Sequence, residues 1–347
     1  MRKKRVSITD LARELNLSPS TVSRALRHEH RISTETRERV ERLAKKMGYR
    51  PNALARSLLN QRSYTIGLVV PDFAHPFFAA VLAGAESIFT ETGFQLMICT
   101  TNDQSDKQKK VLELLIGARV DGLLISFARE TTDFSHFQQL QSEGTPIVFL
   151  DRATEDLDAS YVITDDFQGA CKAVEFLVQS GCQHIGHVKG PEQISTTFQR
   201  FLGYRETLRK HGREVIPDFV FQSEDDMGKQ VSELNRLANT LKKMDGLFVF
   251  NDYIAYKVLQ LCHEQGIRIP EDLSIIGYGN DPFGIYARPS ITTVDQPAFE
   301  MGVTAARMLL DQIYSDPSHY QTHTQVLPTQ LILRHSTISL APDHKSE

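Results

Sequence analysis

The sequence of 347 residues is too long for one compact core and suits two or three domains. Hydrophobic residues make up 41% and charged residues 24% of the chain, which is typical of a soluble globular protein. No apolar run approaches the roughly 20 residues that a membrane span needs. The basic N-terminus is not followed by the apolar stretch of a secretory signal. We therefore expect a cytoplasmic protein with no membrane partner.

The net charge of −4 conceals an uneven distribution. Residues 1–62 contain 16 Lys and Arg against 6 Asp and Glu, a balance of +10. The rest of the chain contains 23 Lys and Arg against 37 Asp and Glu, a balance of −14. A basic head on an acidic body indicates a polyanionic partner for the head alone. A solvated basic arm is the alternative, but the interleaved apolar pattern favours a folded unit.

Residue patterns typical of enzymes, cofactors and metal sites are absent from the sequence. The cysteines form no CxxC pair and lie in apolar or amphipathic segments, which favours free buried thiols over a zinc site or a disulfide framework. No GxGxxG follows a strand and no GxxxxGK[ST] occurs, so nucleotide chemistry is disfavoured. GxSxG and HExxH are also absent. We therefore expect neither a cofactor, nor a metal ion, nor an enzymatic activity.

Three short helices are predicted in the first fifty residues. Ser7 and Ser33 can cap the first and third helices, and Gly48 can end the third. Ser18 and Pro19 form a cap and first-turn pair for the second helix. The apolar residues on the inward faces are Ile8, Leu11, Ala12, Leu15, Val22, Leu26, Val40, Leu43, Ala44 and Met47. The short turn between the first two helices predicts a helix-turn-helix unit.

The second helix presents short hydroxyl side chains and arginines on its outward face. Such side chains suit base edges and phosphates in a DNA major groove. The outward residues are Pro19, Ser20, Thr21, Ser23, Arg24 and Arg27. Because many three-helix domains share this pattern, the segment that follows is needed to decide the function.

The segment from Tyr49 to Leu58 is compatible with a helix of only about eight residues, which is marginal in water on its own. The whole stretch from Ser7 to Phe78 closely resembles, without gaps, the lactose-repressor (LacI/GalR) family of bacterial transcription regulators. The resemblance implies that this segment is a hinge helix that orders on DNA, and that Leu58 wedges into the minor groove at the operator centre. A linker residue packed on the body is the alternative for Leu58. The predicted DNA-binding residues are Ser7, Thr9, Ser18, Pro19, Ser20, Thr21, Ser23, Arg24, Arg27, Arg31, Asn52, Ala55, Arg56 and Leu58.

After residue 63 apolar strands alternate with amphipathic helices. The first run begins with TIGLVVP at 65–71, and a second run begins with YVITD at 161–165. Regular alternation predicts two doubly wound parallel sheets covered on both faces. A late strand–helix–strand, with ITTV, a helix over 297–315 and TQVLPTQLIL, is expected to cross back and give three connections between two lobes. The lactose-repressor family shares this two-lobed fold with periplasmic sugar-binding proteins.

The predicted fold is an all-α helix-turn-helix domain and a hinge helix, joined to an α/β two-lobed periplasmic-binding-protein-like domain. The predicted domains are 1–50 for DNA binding, 51–62 for the hinge helix and linker, and 63–342 for effector binding and dimerisation. Within the last domain, lobe 1 is predicted to comprise 63–161 and 293–322, and lobe 2 to comprise 162–292 and 323–342.

Ligands of such folds bind beyond the carboxyl ends of the strands, in the crevice between the lobes. Carboxylates and amides there can hydrogen-bond sugar hydroxyls, and aromatic faces can stack on sugar C–H surfaces. The R-x-x-G-Y match implies that Arg200 clamps a ligand hydroxyl or carboxylate. The alternatives are a lobe salt bridge for Arg200, a pair with Arg152 or a turn cap for Asp151, and core packing or a dimer contact for Phe77 or Phe78. The predicted effector-binding residues are His75, Phe77, Phe78, Asp151, Arg200, Asn251, Asp252, Asn280 and Gln296, with Asp72 and Arg152 considered beside them.

The chain departs from the family pattern at Gly279, Asn280 and His75. The family commonly has G-[FY]-D-D where this chain has GYGND, so Gly279 replaces an aspartate that is a frequent effector ligand. Asn280 takes the second position, and His75 stands where asparagine is more common. The class of effector is therefore left open between sugars and related small metabolites.

Operator recognition through a pair of hinge helices requires two copies, so a homodimer on pseudo-palindromic DNA is expected. The predicted function is a transcription regulator, a repressor, whose operator affinity is controlled allosterically by a sugar or related metabolite. A solute-binding transport component is one alternative and would need an export signal. An enzyme of sugar metabolism is another and would need a catalytic motif.

Overall fold

The computed structural model describes residues 6–26, 31–49, 62–73, 76–223, 231–316 and 320–338. The chain splits into two compact units, Met1–Ser63 and Tyr64–Glu347. Among the described residues, no helix combines the length and the apolar character that crossing a membrane would require.

The described residues of the first unit form three helices around one small core. They are α1 (Ile8–Leu15), α2 (Pro19–Leu26) and α3 (Thr34–Met47). The buried core residues are Leu11, Ala12, Val22, Ala25, Val40 and Ala44. Ile8, Leu15, Leu26, Leu43 and Met47 pack against this core at its margin. The inward faces predicted from the 3.6-residue period are therefore confirmed.

Side-chain caps fix the ends of these helices. The backbone N of Asp10 donates to Ser7 Oγ at 3.2 Å, and the backbone N of Ser7 donates to Asp10 Oδ2 at 2.8 Å. The backbone N of Thr36 donates to Ser33 Oγ at 3.3 Å. Gly48 ends α3 with a φ of 66°, a left-handed conformation that glycine adopts without strain. The caps satisfy backbone groups that lack partners within the helix, as the sequence predicts.

The second unit contains two six-stranded sheets, and we call each sheet with its helices a lobe. The strands of lobe 1 are β1 (Thr65–Val70), β2 (Gln95–Thr100), β3 (Gly122–Ile125), β4 (Ile147–Leu150), β5 (Ser160–Thr164) and β11 (Thr324–Leu327). Its helices are α4 (Pro76–Thr92), α5 (Ser105–Gly117), α6 (Ser135–Ser142) and α11 (Ala298–Tyr314). The spatial order is β11–β5–β4–β3–β1–β2, and all neighbours run parallel.

Lobe 2 repeats this arrangement with one antiparallel strand. Its strands are β6 (Ile185–Lys189), β7 (Val220–Gln222), β8 (Gly246–Val249), β9 (Ser274–Tyr278), β10 (Thr292–Asp295) and β12 (Gln330–Ile332). Its helices are α7 (Asp166–Gln179), α8 (Ser195–Lys210), α9 (Val231–Thr240) and α10 (Asp252–Glu264). The spatial order is β12–β10–β9–β8–β6–β7, with β12 antiparallel to β10. Every residue of β8 and β9 is buried, as expected for central strands of a sheet covered on both faces.

The chain crosses between the lobes three times, as predicted, but the structure corrects where it crosses. The sequence pattern assigns 161–165 to the start of lobe 2, whereas β5 pairs with β4 and β11 in lobe 1. The crossings lie at Asp165, at Gln296–Pro297 and at Pro328–Thr329, a few residues after each predicted boundary. The alternation of strands and helices is a local signal, and it does not tell which sheet a strand joins.

The predicted strand TQVLPTQLIL is also corrected, because it forms two strands in different sheets. Its first part pairs parallel to β5, and its second part pairs antiparallel to β10. Pro328 between them has no backbone N–H to give to a strand ladder, so the run is interrupted there.

Two glycines allow α4 and α11 to pack in backbone contact. A Cβ atom on Gly84 would lie 2.0 Å from the carbonyl oxygen of Phe299, and one on Gly302 would lie 2.0 Å from that of Val81. Only glycine permits so close an approach of two helix backbones. This contact fixes α11 on lobe 1, although the chain enters α11 directly from the last residues of β10 in lobe 2.

We predict that Gly84→Ala destabilises lobe 1, because the added Cβ must push α11 away. Overpacking costs about 1–3 kcal/mol in well-packed cores, and the better helix propensity of Ala recovers only about 1 kcal/mol. Urea unfolding followed by circular dichroism is expected to show a lower midpoint for the variant.

Gly117→Ala is the matched control for this experiment. It makes the same substitution in the last residue of α5, where no atom lies within 4 Å of the new Cβ. Its midpoint is expected to stay unchanged or rise slightly. Equal midpoints for the two variants would contradict the packing role of Gly84.

Candidate nucleic-acid interface and ligand cleft

The start of α2 carries a cluster of hydroxyl groups. The backbone N of Thr21 donates to Ser18 Oγ at 3.1 Å, which confirms Ser18 as the cap of α2. Ser18 Oγ also lies 2.8 Å from the hydroxyls of Ser20 and Thr21. Ser18, Pro19, Ser20 and Arg24 are exposed, and Thr21 and Ser23 are half-buried. This face can donate hydrogen bonds to phosphates and base edges.

The predicted DNA-binding residues outside α2 differ in exposure and in the hydrogen bonds that their side chains make. Ser7 is half-buried, and its Oγ donates to Asp10 Oδ2 at 2.6 Å and lies 2.7 Å from Thr9 Oγ1. Thr9 and Arg31 are exposed. If Ser7 contacts DNA, its hydroxyl must therefore serve both the DNA and the N-terminal cap of α1.

Some predicted site residues lie outside the described residues. They are Arg27 after α2, the hinge residues Asn52, Ala55, Arg56 and Leu58, and the cleft residue His75.

A cavity of about 500 Å³ lies between the lobes, where the carboxyl ends of the strands meet the starts of α4, α10 and α11. The structure brings the other predicted effector-binding residues together around it. They are Phe77, Phe78, Asp151, Arg200, Asn251, Asp252, Asn280 and Gln296. Asp72 is half-buried and does not line the cavity. We refer to this cavity as the cleft.

Aromatic rings from α4 form one wall of the cleft. Phe78 belongs to the hydrophobic core of lobe 1, and Phe77 packs partly buried against that core. The two rings meet edge to face, with 5.1 Å between their centroids. The core alternative therefore holds for Phe78, which supports Phe77 as the more accessible ring.

Arg200 reaches the cleft as one half of a buried ion pair. Its Nε donates to Asp166 Oδ1 at 2.7 Å, and its Nη1 donates to the carbonyl oxygen of Phe250 at 2.7 Å. The guanidinium carbon lies 3.7 Å from the ring centroid of Tyr278. Nη2 makes no hydrogen bond to a described residue. The salt bridge that was an alternative for Arg200 is thus present, and it leaves one nitrogen to bind a ligand.

Arg152 is a second buried arginine in the lining, and the predicted set omits it. Its Nη1 donates to Asp103 Oδ1 and to the carbonyl oxygen of Phe127. Asp151 beside it has a φ of 63°, and its Oδ2 lies 3.8 Å from Arg152 Nε. The polar pair that directly follows the buried strand β4 is the signal that points to both residues, although only Asp151 is in the predicted set.

Two side chains at the start of α10 are engaged in holding the fold. Asn251 caps α10, since its Oδ1 accepts from the backbone N of Ile254 at 2.8 Å. Asp252 accepts from Thr293 Oγ1 at 2.7 Å and from the backbone N of Asp281 at 2.7 Å. Burial raises the pKa of Asp252 to about 6, and these hydrogen bonds oppose the shift only in part.

Asp295 lines the cleft, and Arg334 contacts the lining residue Asn280 from outside it, although the sequence patterns did not single out either residue. Asn280 Nδ2 donates to Asp295 Oδ1 at 2.9 Å, and Arg334 Nη2 donates to Asn280 Oδ1 at 2.6 Å. Gln296 is buried, and its Nε2 donates to Thr164 Oγ1 at 3.2 Å at the lobe crossings. Asp295 ends β10, so the strand-end rule that found Gln296 could also have found its neighbour.

A hydroxyl-rich helix-turn-helix unit joined to a two-lobed receptor with a polar cleft defines the class: a ligand-responsive DNA-binding regulator. Comparisons with known proteins agree. Residues 7–52 match the model "Bacterial regulatory proteins, lacI family", and residues 174–337 match "Periplasmic binding protein-like domain". The chain belongs to the lacI family of transcription regulators.

Relatives with the same organisation cover almost the whole chain. The ribose operon repressor of Halalkalibacterium halodurans is 31% identical over 331 residues, which are 95% of this chain and 97% of the relative. The structure of the regulator CelR in complex with cellobiose is 29% identical with a TM-score of 0.72, covering 96% of this chain and all of that one. A lac repressor dimer bound to operator and the anti-inducer ONPF is 24% identical, with a TM-score of 0.84. The match covers 97% of this chain and all of that one, and it shows that the two proteins share a fold. The names of these relatives describe repressors and a transcription regulator.

We predict a pH-dependent stability contribution from Asp252. Its pKa in the folded state, about 6, exceeds its usual value of 3.8, so the folded state holds the proton more tightly than the unfolded state. This contribution is fully present below about pH 4 and is lost as the pH rises through about 6. It amounts to at most about 3 kcal/mol.

The measurement compares the unfolding free energies of the wild type and Asp252→Asn between pH 4 and pH 7.5. The asparagine of the variant does not titrate in this range. The unfolding free energy of the wild type is therefore expected to fall, relative to that of the variant, as the pH rises. A constant difference across the range would contradict the assignment. Other carboxylates are common to both proteins and cancel in the comparison.

Proposed function

We propose that this regulator represses transcription by binding a pseudo-palindromic operator, and that a sugar or related small metabolite in the cleft sets its operator affinity. The observation that carries the proposal is the joining, in one chain, of a hydroxyl-rich α2 face to a two-lobed polar cleft. The relatives add support, because one is named a ribose operon repressor and another is a regulator in complex with cellobiose. Such a protein acts in the bacterial cytoplasm, where the chromosome lies.

The proposed DNA contacts come from α2 and the hinge segment. The exposed hydroxyls at the start of α2 and Arg24 read base edges, while Thr9 and Arg31 contact phosphates. Arg27 is a further proposed DNA contact, and the hinge residues Asn52, Ala55, Arg56 and Leu58 act in the minor groove. The excess of positive charge in residues 1–62 predicts an affinity that falls steeply with salt concentration.

The proposed effector lies against Phe77 and is bound by polar groups from both lobes. An aromatic wall opposite carboxylates and amides suits a sugar, which has apolar C–H faces and a rim of hydroxyls. Arg200 Nη2 and the Asp151 carboxylate supply a donor and an acceptor from lobe 2 and lobe 1. A ligand held in this way favours one relative position of the lobes.

A hydrogen bond between the lobes, outside the lining of the cleft, supports a coupling of ligand binding to lobe position. The backbone N of Ala153 in lobe 1 donates to Ser195 Oγ at the start of α8 in lobe 2, at 3.2 Å. Closure around a ligand favours such contacts, and opening breaks them. In a dimer, this shift changes the spacing of the two hinge segments and therefore the affinity for the operator.

We propose a homodimer, with an exposed apolar patch of lobe 2 in the interface. The patch follows β9, on a 3₁₀ turn at Pro282–Ile285 and the residue after it. The exposed fractions are 64% for Phe283, 49% for Ile285 and 72% for Tyr286. Apolar side chains clustered at the surface in this way are typical of a protein–protein contact. The two-fold symmetry of a pseudo-palindromic operator makes a second copy of this chain the matching occupant.

We predict that Arg24→Ala weakens operator binding by roughly tenfold or more, because one arginine–base contact contributes about 1–3 kcal/mol. The operator is first selected from a random duplex library with the full-length protein. Fluorescence anisotropy at two salt concentrations then measures its affinity for the wild type and the variant.

Arg42→Ala is the charge-matched control. Arg42 lies exposed on α3, where its Nε donates to the carbonyl oxygen of Glu38 in the same helix. Its loss is expected to change the affinity by about twofold at most. Equal losses for the two variants would mean that only net charge matters and would contradict the proposed role of α2. Failure of the wild type to select any sequence would contradict the function itself.

A further inference from the structure

The carboxylate of Asp295 is held in place by a chain of hydrogen bonds that begins outside the cleft. Arg334 Nη1 donates to the carbonyl oxygen of Ile291 at 2.9 Å, and the backbone N of Arg334 donates to Thr292 Oγ1 at 2.9 Å. With its guanidinium fixed in this way, Arg334 Nη2 donates to Asn280 Oδ1 at 2.6 Å. The arginine therefore determines where the amide of Asn280 lies.

The same hydrogen bond fixes the orientation of the Asn280 side-chain amide. A guanidinium can only donate hydrogen bonds, so the oxygen of the amide must face Arg334. The amide nitrogen then faces Asp295 and donates to its Oδ1 at 2.9 Å. The backbone N of Asn280 adds a bond to Thr293 Oγ1 at 3.3 Å. Both ends of the Asn280 side chain are thus occupied, and Asn280 serves to position Asp295.

Asp295 keeps one carboxylate oxygen for a ligand. Its Oδ1 accepts from Asn280, and Oδ2 makes no hydrogen bond to a described residue. The residue is half-buried and lines the cleft. Gly279 leaves the adjacent space open, since an added Cβ there would meet Gln296 Oε1 as its nearest heavy atom, 4.0 Å away. A pre-positioned acceptor beside open space can bind a ligand without reorganising.

The charges around the cleft restrict which ligands can use this acceptor. Among the described residues, the carboxylates that line the cleft are Asp151, Asp252, Asp281, Asp295 and Glu300, and the guanidiniums are those of Arg152 and Arg200. Each guanidinium already donates to a carboxylate outside the lining, Asp103 for Arg152 and Asp166 for Arg200. Little positive charge is left to compensate an anionic ligand, so sugar phosphates and sugar acids are disfavoured.

We propose that Asp295 is a specificity-determining residue of the cleft, which accepts hydrogen bonds from hydroxyls of an uncharged sugar and excludes sugar phosphates and sugar acids. Asn280 and Arg334 position its carboxylate. This proposal rests on the proposed function, since it assigns the class of effector for the same cleft.

The test begins with full-length protein and a defined panel of compounds. D-ribose, D-xylose, D-glucose, D-galactose and cellobiose represent uncharged sugars, while D-glucuronate and D-ribose 5-phosphate represent anionic ones. Thermal shift identifies which of them bind the folded state, and calorimetric titration gives the affinity of the best one. An uncharged sugar is expected to bind best.

Asp295→Asn removes the charge but keeps an acceptor for Asn280, so the fold is expected to be retained. Its affinity for the best sugar should fall between about tenfold and a hundredfold, as for the loss of a hydrogen bond to a charged group. Asp311→Asn is the matched control. It makes the same substitution at an exposed residue of α11, whose carboxylate does not line the cleft and makes no hydrogen bond to a described residue, and its affinity should remain within about twofold of the wild type.

Asn280→Ala tests the positioning role. Its loss of affinity should be smaller than that of Asp295→Asn, and the double variant should bind no more weakly than Asp295→Asn alone, because Asn280 acts through Asp295. Additive losses would show that Asn280 acts on its own and would overturn its assignment as a positioning residue.

The remaining outcomes distinguish a failure of the role proposed for Asp295 from a failure of the proposed function. Wild-type affinity in Asp295→Asn, with an unchanged melting temperature, would overturn the role of Asp295 while leaving a sugar-controlled regulator in place. Tightest binding of glucuronate or ribose 5-phosphate would overturn the exclusion of anions. No binding of any compound in the panel would contradict the sugar effector itself, and the proposal with it.

Discussion

The hydrogen bonds that join the three chain crossings hold the cleft together. Gln296 at the second crossing donates from Nε2 to Thr164 Oγ1 at the first, 3.2 Å away. Thr329 at the third crossing donates from Oγ1 to the carbonyl oxygen of Asp165 at 3.3 Å, and Lys172 Nζ donates to the carbonyl oxygen of Thr329 at 2.7 Å. In the proposed mechanism, the cleft opens and closes by movement at this cluster. A ligand that contacts both lobes can therefore shift their relative position.

The polar groups of the cleft are held in place by lobe-internal contacts, which prepares them for a ligand. Arg200 and Arg152 are both buried, and each donates to a carboxylate and to a backbone carbonyl of its own lobe. Removing one partner of such a pair leaves an uncompensated buried charge and costs several kcal/mol. The arginines are therefore structural as well as ligand-facing. The groups with spare hydrogen-bonding capacity, Arg200 Nη2 and Asp295 Oδ2, are the ones that we assign to the effector.

Local features of this protein could be predicted from its sequence because their signals span only a few residues. The capping box of Ser7 and Asp10, the cap at Ser18 and the left-handed stop at Gly48 each depend on neighbours within one helical turn. The alternating strands and helices follow from periodicity in the same way. The strand-end rule then brought the predicted cleft residues to one place, since carboxyl ends of parallel strands meet at one edge.

The features that the sequence did not reveal depend on contacts between distant residues. Arg152 meets Asp103 across 49 residues, and Asn280 meets Arg334 across 54, so no local pattern records them. The assignment of β5 to lobe 1 likewise depends on pairing with β11, far along the chain. The sequence therefore predicts Asn280 as a ligand contact. In the structure, its amide nitrogen donates to Asp295 and its amide oxygen accepts from Arg334.

In the proposed mechanism, sugar binding in the cleft and operator binding by the same molecule are coupled. Two affinities of the full-length protein test this coupling: the affinity for the selected operator with and without saturating sugar, and the affinity for the sugar with and without saturating operator. Thermodynamic linkage requires the two affinity ratios to be equal, and we expect both to differ from one by at least about fivefold. Ratios of one, for a sugar that demonstrably occupies the cleft, would show that the two sites are not coupled.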